Sequence, residues 1–431
     1  KHSRVSSGMS DTTANEPMRA ADGTPLKRSL ARALRRQKLR ALGLIMPLLV
    51  FVIVGFVFPI GQMLMRSVEN SVVTDTIPLT VEALRDWDDD SGVAPPEEVF
   101  AALAADLQIA DEARTSMTLA RRLNFEYSGI TTLIRKAGRQ VGDWDIPNDG
   151  PYREKFIEID DEWGDPALWS AIQAYSGRYT SGYFLAAIDK TKVTGEIESR
   201  PANESLHLML FGRTAWVSAL ICFMTLLLGY PIAYLLSTLK ARHANLLLIL
   251  VLLPFWTSLL VRTSAWKVLL QEQGVINDIL VGIGLLADDS RFQMINNKLG
   301  VIIAMTHILL PFMILPLYSV MKTIPPSYVR AAKSLGANDW TAFWRVYFPQ
   351  SIPGIGAGAI LVFILSVGYY ITPELVGGPT GSFISNRIAY QWSGAGNWGL
   401  VGALGAILLA AVLILYWVYD KIVGIDNVKL G

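Results

Sequence analysis

Six stretches of this chain are uncharged, apolar and about as long as a bilayer crossing, and no other feature restricts its fold as strongly. They are Leu42–Met65, Thr214–Leu239, Ala244–Val261, Leu299–Met321, Ser351–Pro373 and Trp398–Tyr419. A helix crosses the hydrocarbon core in about 20 residues. The third stretch is the shortest, and Thr263–Trp266 can extend it. The following segment, Val268–Ala287, carries Gln271, Glu272, Gln273, Asn277 and Asp278 and reads as a short re-entrant or surface helix. Prolines 47, 59, 231, 254, 311, 316 and 353 fall inside the six blocks. Membrane helices tolerate such prolines where neighbours satisfy the freed carbonyls. These blocks are why 52% of the 431 residues are hydrophobic and only 17% charged, against about a quarter charged in an ordinary soluble domain.

Charge distribution sets an orientation. Lys27–Arg40 holds seven basic residues and no acid, which places it on the cytoplasmic side. Leucines 30, 34 and 42 recur among these arginines, predicting a basic amphipathic helix on the inner membrane surface. Six crossings then return the C-terminus to the cytoplasm. The basic turn Lys240–His243 and the stretch Tyr328–Ile355 also fall inside, and residues 66–207 fall outside. The expected fold is therefore an all-α polytopic membrane protein with six transmembrane helices, both termini cytoplasmic and an external domain between helices 1 and 2. Residues 1–41 form the cytoplasmic tail. Within it, "KHSRVSSG" before Met9 reads as an expression remnant, and residues 9–25 as a polar disordered segment.

The external region 66–207 carries 26 acids and 14 bases, a net of −12. Its pattern is mainly helical. "PPEEVFAALAADLQIA" opens with proline and acids, "TSMTLARRLNFEYSGITTLIRKAGRQ" continues at helical spacing, and "DPALWSAIQAYSGRY" has Asp165 as a cap. The acid clusters Asp88–Asp90 and Asp160–Glu162 lack the spacing of a calcium loop and read as solvated surface. The single cysteine, Cys222, excludes an intrachain disulfide.

Several chemistries have no motif. There is no Gly-Lys pair and so no phosphate-binding P-loop, no His-Glu-x-x-His, and no Gly-x-Ser-x-Gly. The four histidines are scattered and suggest no metal site. Catalytic residues, a cofactor and a nucleic-acid surface are not expected. Energy for uphill movement would come from a partner or an ion gradient.

One polar stretch interrupts the apolar blocks: "YVRAAKSLGANDWTAFWRVYFPQSIPGI", Tyr328–Ile355. A first helix capped by Ser327 runs through Val329, Ala331, Ala332 and Leu335 and stops at Gly336 in a left-handed turn. A second starts at Asp339 with Trp340, Phe343, Trp344 and Tyr347, and prolines 349 and 353 end it. The product is a small knob over residues 326–353, of the kind that a groove on another subunit grips.

This stretch resembles the "EAA" loop of ATP-binding-cassette importer permeases, the pattern E-A-A-x-x-x-G, then about nine residues, then apolar-x-Leu/Phe-Pro. Ala331, Ala332, Gly336 and Phe348-Pro349 match, and Arg330 stands at the glutamate position. "RTSAWKVLLQEQGVINDIL", "LLPFMILPLYSVMKTIP" and "YYITPELVGGP" look like the spermidine/putrescine branch. The resemblance covers roughly residues 205–425 and the first crossing, and leaves out 66–207. It implies a permease core over 208–431 in the bacterial inner membrane, with 66–207 as a periplasmic domain. It implies an ATPase subunit dimer, carrying the ATP and Mg, docked on a coupling loop that includes Arg330, Ala331, Ala332, Leu335, Gly336 and Ala337. It also implies a second permease subunit, homologous or identical, and a periplasmic solute-binding protein. Polyamines are the expected cargo. Opines, amino-acid derivatives and aminophosphonates are the sibling cargoes, and a membrane sensor is the reading from another class.

Four residues are candidates for the path. His307 lies mid-span, as a path residue or as a satisfied structural histidine. Tyr369 and Tyr370 precede Pro373, Glu374, Gly377 and Gly378, as a broken gate or as an interfacial aromatic belt. Glu374 meets a cationic amine or solvent.

Overall fold

The computed structural model describes residues 26–146, 148–192, 196–201 and 205–423. The expectations for residues 1–25 lie outside it. The chain divides into two units, Lys1–Met63 and Leu64–Gly431.

From the first unit, α1 (Leu26–Val52) runs through a π turn at Ile53–Val57 into α2 (Phe58–Arg66), whose last three residues open the second unit. The basic segment is thus the direct continuation of the first crossing helix and not a separate surface helix. The π turn has a local cause. Pro59 has no N–H and its ring crowds the carbonyl of residue 55. The backbone widens instead, and the Phe58 N–H donates to the Ile53 carbonyl five residues back.

In the second unit the external domain comes first: α3 (Ser71–Thr76), α4 (Pro78–Ala83), α5 (Glu97–Glu112), α6 (Ser116–Asn124), α7 (Ile130–Val141), α8 (Tyr152–Ile159), α9 (Pro166–Ala174) and α10 (Gly182–Ala187). A minimal antiparallel pair follows, β1 (Lys190–Thr191) and β2 (Glu198–Ser199). The expected long helix over 115–140 is two helices, because Gly129 takes φ +99 before α7. Asp165 caps α9 as expected, accepting from the Ala167 N–H at 2.9 Å. The core is aromatic. Phe100, Phe156, Trp163 and Trp169 are fully buried, with Phe100–Trp169 centroids 4.7 Å apart and Phe156–Trp163 5.0 Å apart. Asp106 on α5 accepts from the Thr80 N–H and hydroxyl, both at 2.7 Å, satisfying the first turn of α4.

The remaining helices are α11 (His207–Thr238), α12 (Ala241–Leu252), α13 (Leu259–Leu269), α14 (Val275–Gly282), α15 (Lys298–Thr323), α16 (Pro326–Ser334), α17 (Asp339–Ala342), α18 (Phe348–Gly368), α19 (Ile371–Val376), α20 (Gly378–Gly381), α21 (Ile384–Tyr390) and α22 (Trp398–Val423). Helix α15 is the axis of this core, packed between α11 and α18. Glycines permit the close approach: a Cβ on Gly354 would sit 3.2 Å from the Leu317 Cα, and one on Gly358 would sit 2.7 Å from the Met313 sulfur.

Five helices are long and apolar enough to cross a membrane among the described residues, and six if a bent pair counts as one. That pair is the expected third crossing. Helices α12 and α13 meet at 93°, with Pro254 in the tight turn between them. A lone run of leucines does not show a bend. The proline and the Ser258 cap, which accepts from the Val261 N–H at 3.2 Å, produce it. The expected fifth crossing also shifts. It is continuous from Asp339 to Gly368, so prolines 349 and 353 do not end the second knob helix. Pro349 is accommodated as Pro59 is, by a π turn at Phe343–Tyr347 in which the Phe348 N–H donates to the Phe343 carbonyl. At the other end the helix stops at Gly368, and Pro373 lies in the separate α19.

Candidate coupling knob and gate

Helix α16 begins at Pro326 with Pro325 as its cap, so Ser327 sits inside the first turn and is not the cap. Proline suits the first helical position because its missing N–H has no partner there anyway. The helix closes with a paired C-terminal motif. The Gly336 N–H donates to the Lys333 carbonyl and the Ala337 N–H to the Ala332 carbonyl, both at 3.0 Å. Gly336 takes φ +91, a conformation in which a Cβ is strained. Asn338 then caps α17, its side chain accepting from the Thr341 N–H at 2.8 Å, and Lys333 pairs with Asp339 across the turn.

The knob is fixed from within and open from without. Val329 and Phe343 pack against the α11–α15–α18 core, while Arg330, Ala331, Leu335 and Gly336 are exposed and Ala332 and Ala337 half-buried. Leu335 is 89% exposed and Trp340 71%. Both side chains stand apart from the core on a closed turn.

The gate candidates lie at the opposite end of α15. Three come together on α21. The Tyr369 carbonyl accepts from the Ser385 hydroxyl at 2.5 Å, and Asn386 Nδ2 donates to the Tyr370 carbonyl at 2.9 Å and to Glu374 Oε2 at 2.7 Å. Tyr370 and Glu374 are exposed and Tyr369 is half-buried. His307 is not part of that cluster. The indole N–H of Trp266 donates to its Nδ1 at 3.1 Å. Helix α13 connects the two places, because Thr263, on the helix that carries Trp266, meets Thr372 on α19 at 3.2 Å between hydroxyls. Although α15 is the most buried of the crossing helices, His307 lies on an exposed face of it.

Sequence reasoning missed Thr263, Trp266, Asn386 and above all Arg262. The Arg262 Nε is buried without a hydrogen-bond partner. The signal was present in the sequence: a single arginine stands just past an 18-residue uncharged run, where a charge is costly.

Residues 205–423 match the family described as binding-protein-dependent transport system inner membrane component. The spermidine/putrescine transport system permease protein PotB of Haemophilus influenzae is 35% identical over 216 residues, 49% of this chain and 75% of that protein. PotB of Escherichia coli is 34% identical over 206 residues, covering 47% and 73%. The inner membrane ABC transporter permease protein YdcU of E. coli is 32% identical over 279 residues, covering 60% and 87%. Among solved structures, a chain of a bacterial alginate ABC transporter in complex with its alginate-bound periplasmic protein superposes with a TM-score of 0.43 at 18% identity, covering 52% of this chain and 80% of that one. The chain belongs to the family of inner-membrane components of binding-protein-dependent transport systems.

Proposed function

We propose that this chain is the membrane permease subunit of an ATP-driven importer that takes polyamines from a solute-binding protein across the bacterial inner membrane. The observation that carries the reading is the exposed knob at Pro326–Ala342, built on the residues that match the family's coupling loop. Two ATPase subunits, which bring ATP and Mg, grip this knob and its counterpart on a second permease subunit. Closure of the ATPases draws the knobs together and turns the cavity outward, and hydrolysis resets it. The two PotB relatives are named for spermidine and putrescine, which supports a polyamine cargo.

On this reading residues 66–207 face the periplasm and both termini the cytoplasm. Tyr369, Tyr370 and Glu374 form the outer gate, and the exposed His307 face of α15 lines the path shared with the second permease. Arg330 replaces the family's glutamate, so the ATPase cleft that receives this knob carries the complementary acid.

The test is ATP hydrolysis by the co-expressed complex in liposomes with its binding protein, against putrescine, spermidine, amino acids and opine-like compounds. Stimulation by a polyamine is the expected result. Stimulation by another solute alone would remove the polyamine assignment and keep the coupling knob. Failure of any ATPase subunit to co-purify would remove the coupling role.

A further inference from the structure

The external domain is strongly acidic overall, yet the cleft where it meets the end of the core is basic. Two adjoining cavities, about 480 and about 430 Å³, share Phe125, Tyr183 and Asn397 as walls. The ionisable lining of the first is Arg66, Glu69, Arg121 and Arg122. That of the second is Glu126, Arg200, His207 and Arg387. Five arginines thus face two glutamates, four of those arginines coming from residues 66–207, which carry a net of −12, and Arg387 from α21.

The glutamates do not neutralise the cleft. Glu126 is committed to Arg122 at 3.0 Å and Arg200 at 3.1 Å. Arg66, Arg121 and Arg387 have no carboxylate within ion-pair distance among the described residues. Arg122 is 5% exposed and its Nη2 has no hydrogen-bond partner, although Nε and Nη1 are bonded to Asn70 and Glu126. Guanidinium groups gathered in this way suit a phosphate, whose oxygens accept several N–H bonds at once.

Position identifies the source of the phosphate. Arg66 is the last residue of the first apolar helix and Trp398 the first of the final one, and the Arg66 guanidinium lies 5.6 Å over the Trp398 ring. Tryptophan and arginine at the ends of crossing helices mark headgroup depth. Trp398 remains 43% exposed beside the cleft and offers an apolar flank to an acyl chain. We propose that this cleft binds the phosphate headgroup of a phospholipid from the leaflet on the external-domain side, tying that domain to the bilayer. The lining repels a polycation, so the cleft is separate from the path proposed above and does not rest on that reading.

The test is lipid retention by the full chain in its purified complex, read by native mass spectrometry after exchange into detergent. The probes are phosphatidylglycerol, diacylglycerol with the same acyl chains, and inorganic phosphate. Arg66→Gln with Arg121→Gln removes two exposed charges outside the Glu126 network, and Arg139→Gln, exposed elsewhere on the domain, is the control. The expected result is selective retention of phosphatidylglycerol, weakened about tenfold or more in the double variant and unchanged in the control. Equal retention by the double variant, or equal competition by diacylglycerol, would overturn the headgroup site. Tight binding of inorganic phosphate without the lipid would overturn the membrane source. Unchanged lipid retention with loss of binding-protein docking in the double variant would reassign the cleft to a protein partner.

Discussion

Gly336 shows how one residue sets a surface. Its φ of +91 turns the chain between α16 and α17, and open space surrounds the position where a Cβ would stand. A side chain there is therefore penalised by backbone strain, about 1 kcal/mol or more, and not by collision. An aspartate adds charge next to Leu335, which is 89% exposed. Gly336→Asp is expected to leave the amount of chain in the membrane unchanged while lowering ATPase co-purification and solute uptake by about tenfold or more. Uptake at the wild-type level, with matched expression, would remove the knob from the transport cycle. Alanines 331 and 332 act by being small. On the proposed reading they let the ATPase surface approach the α16 backbone, as glycines permit close approach between α15 and α18.

At the scale of elements, the external domain depends on its aromatic centre. Trp169 has no solvent exposure, packs at 4.7 Å on Phe100 and donates its indole N–H to the Trp163 carbonyl at 2.9 Å. Trp169→Ala is expected to cost about 3–5 kcal/mol of domain stability, seen in intrinsic fluorescence as earlier unfolding of that domain. A melting profile that does not move would mean that this cluster is not the core. The same elements show what the sequence made legible. Apolar runs, the Asp165 cap and the Gly336 stop were readable because each is a local signal. The α12–α13 bend was not, because an uncharged run has the same composition straight or folded. Continuity through Pro349 was hidden because proline ordinarily ends a helix, and only the π turn before it lets the helix pass. The cluster on α21 was legible by parts: Tyr369, Tyr370 and Glu374 were singled out, but not Asn386, which lies 12 residues beyond Glu374 and binds it. Sequence distance of that kind leaves no periodic trace.

On the scale of the whole second unit, the external domain is fixed to the last crossing helix. Tyr183 on α10 packs on Gly399, where a Cβ would meet its ring at 2.3 Å, and Leu210, Ile384, Leu400 and Leu404 complete the contact. Gly399→Ala is expected to lower the melting temperature of the purified chain by several degrees, and Tyr183→Leu in the same chain to restore part of the loss. If the double variant melts no higher than the single one, the two positions are not coupled in this way.

Helix α15 has the proportions of a seesaw. Its 26 residues span about 39 Å at 1.5 Å per residue. The knob begins just beyond one end and the α19–α20 segment abuts the other, where a Cβ on Gly300 would lie 3.2 Å from the Val376 carbonyl. Gly229 and Gly358 both close on Met313, well inside its length. Met313 thus divides the helix unequally, 10 residues on the knob side and 15 on the other. A tilt of about 10° there displaces the knob end by about 3 Å and the far end by about 4 Å the opposite way. Were the helix to tilt there as a rigid rod, a small stroke at the short arm would become a larger, reversed stroke at the long one.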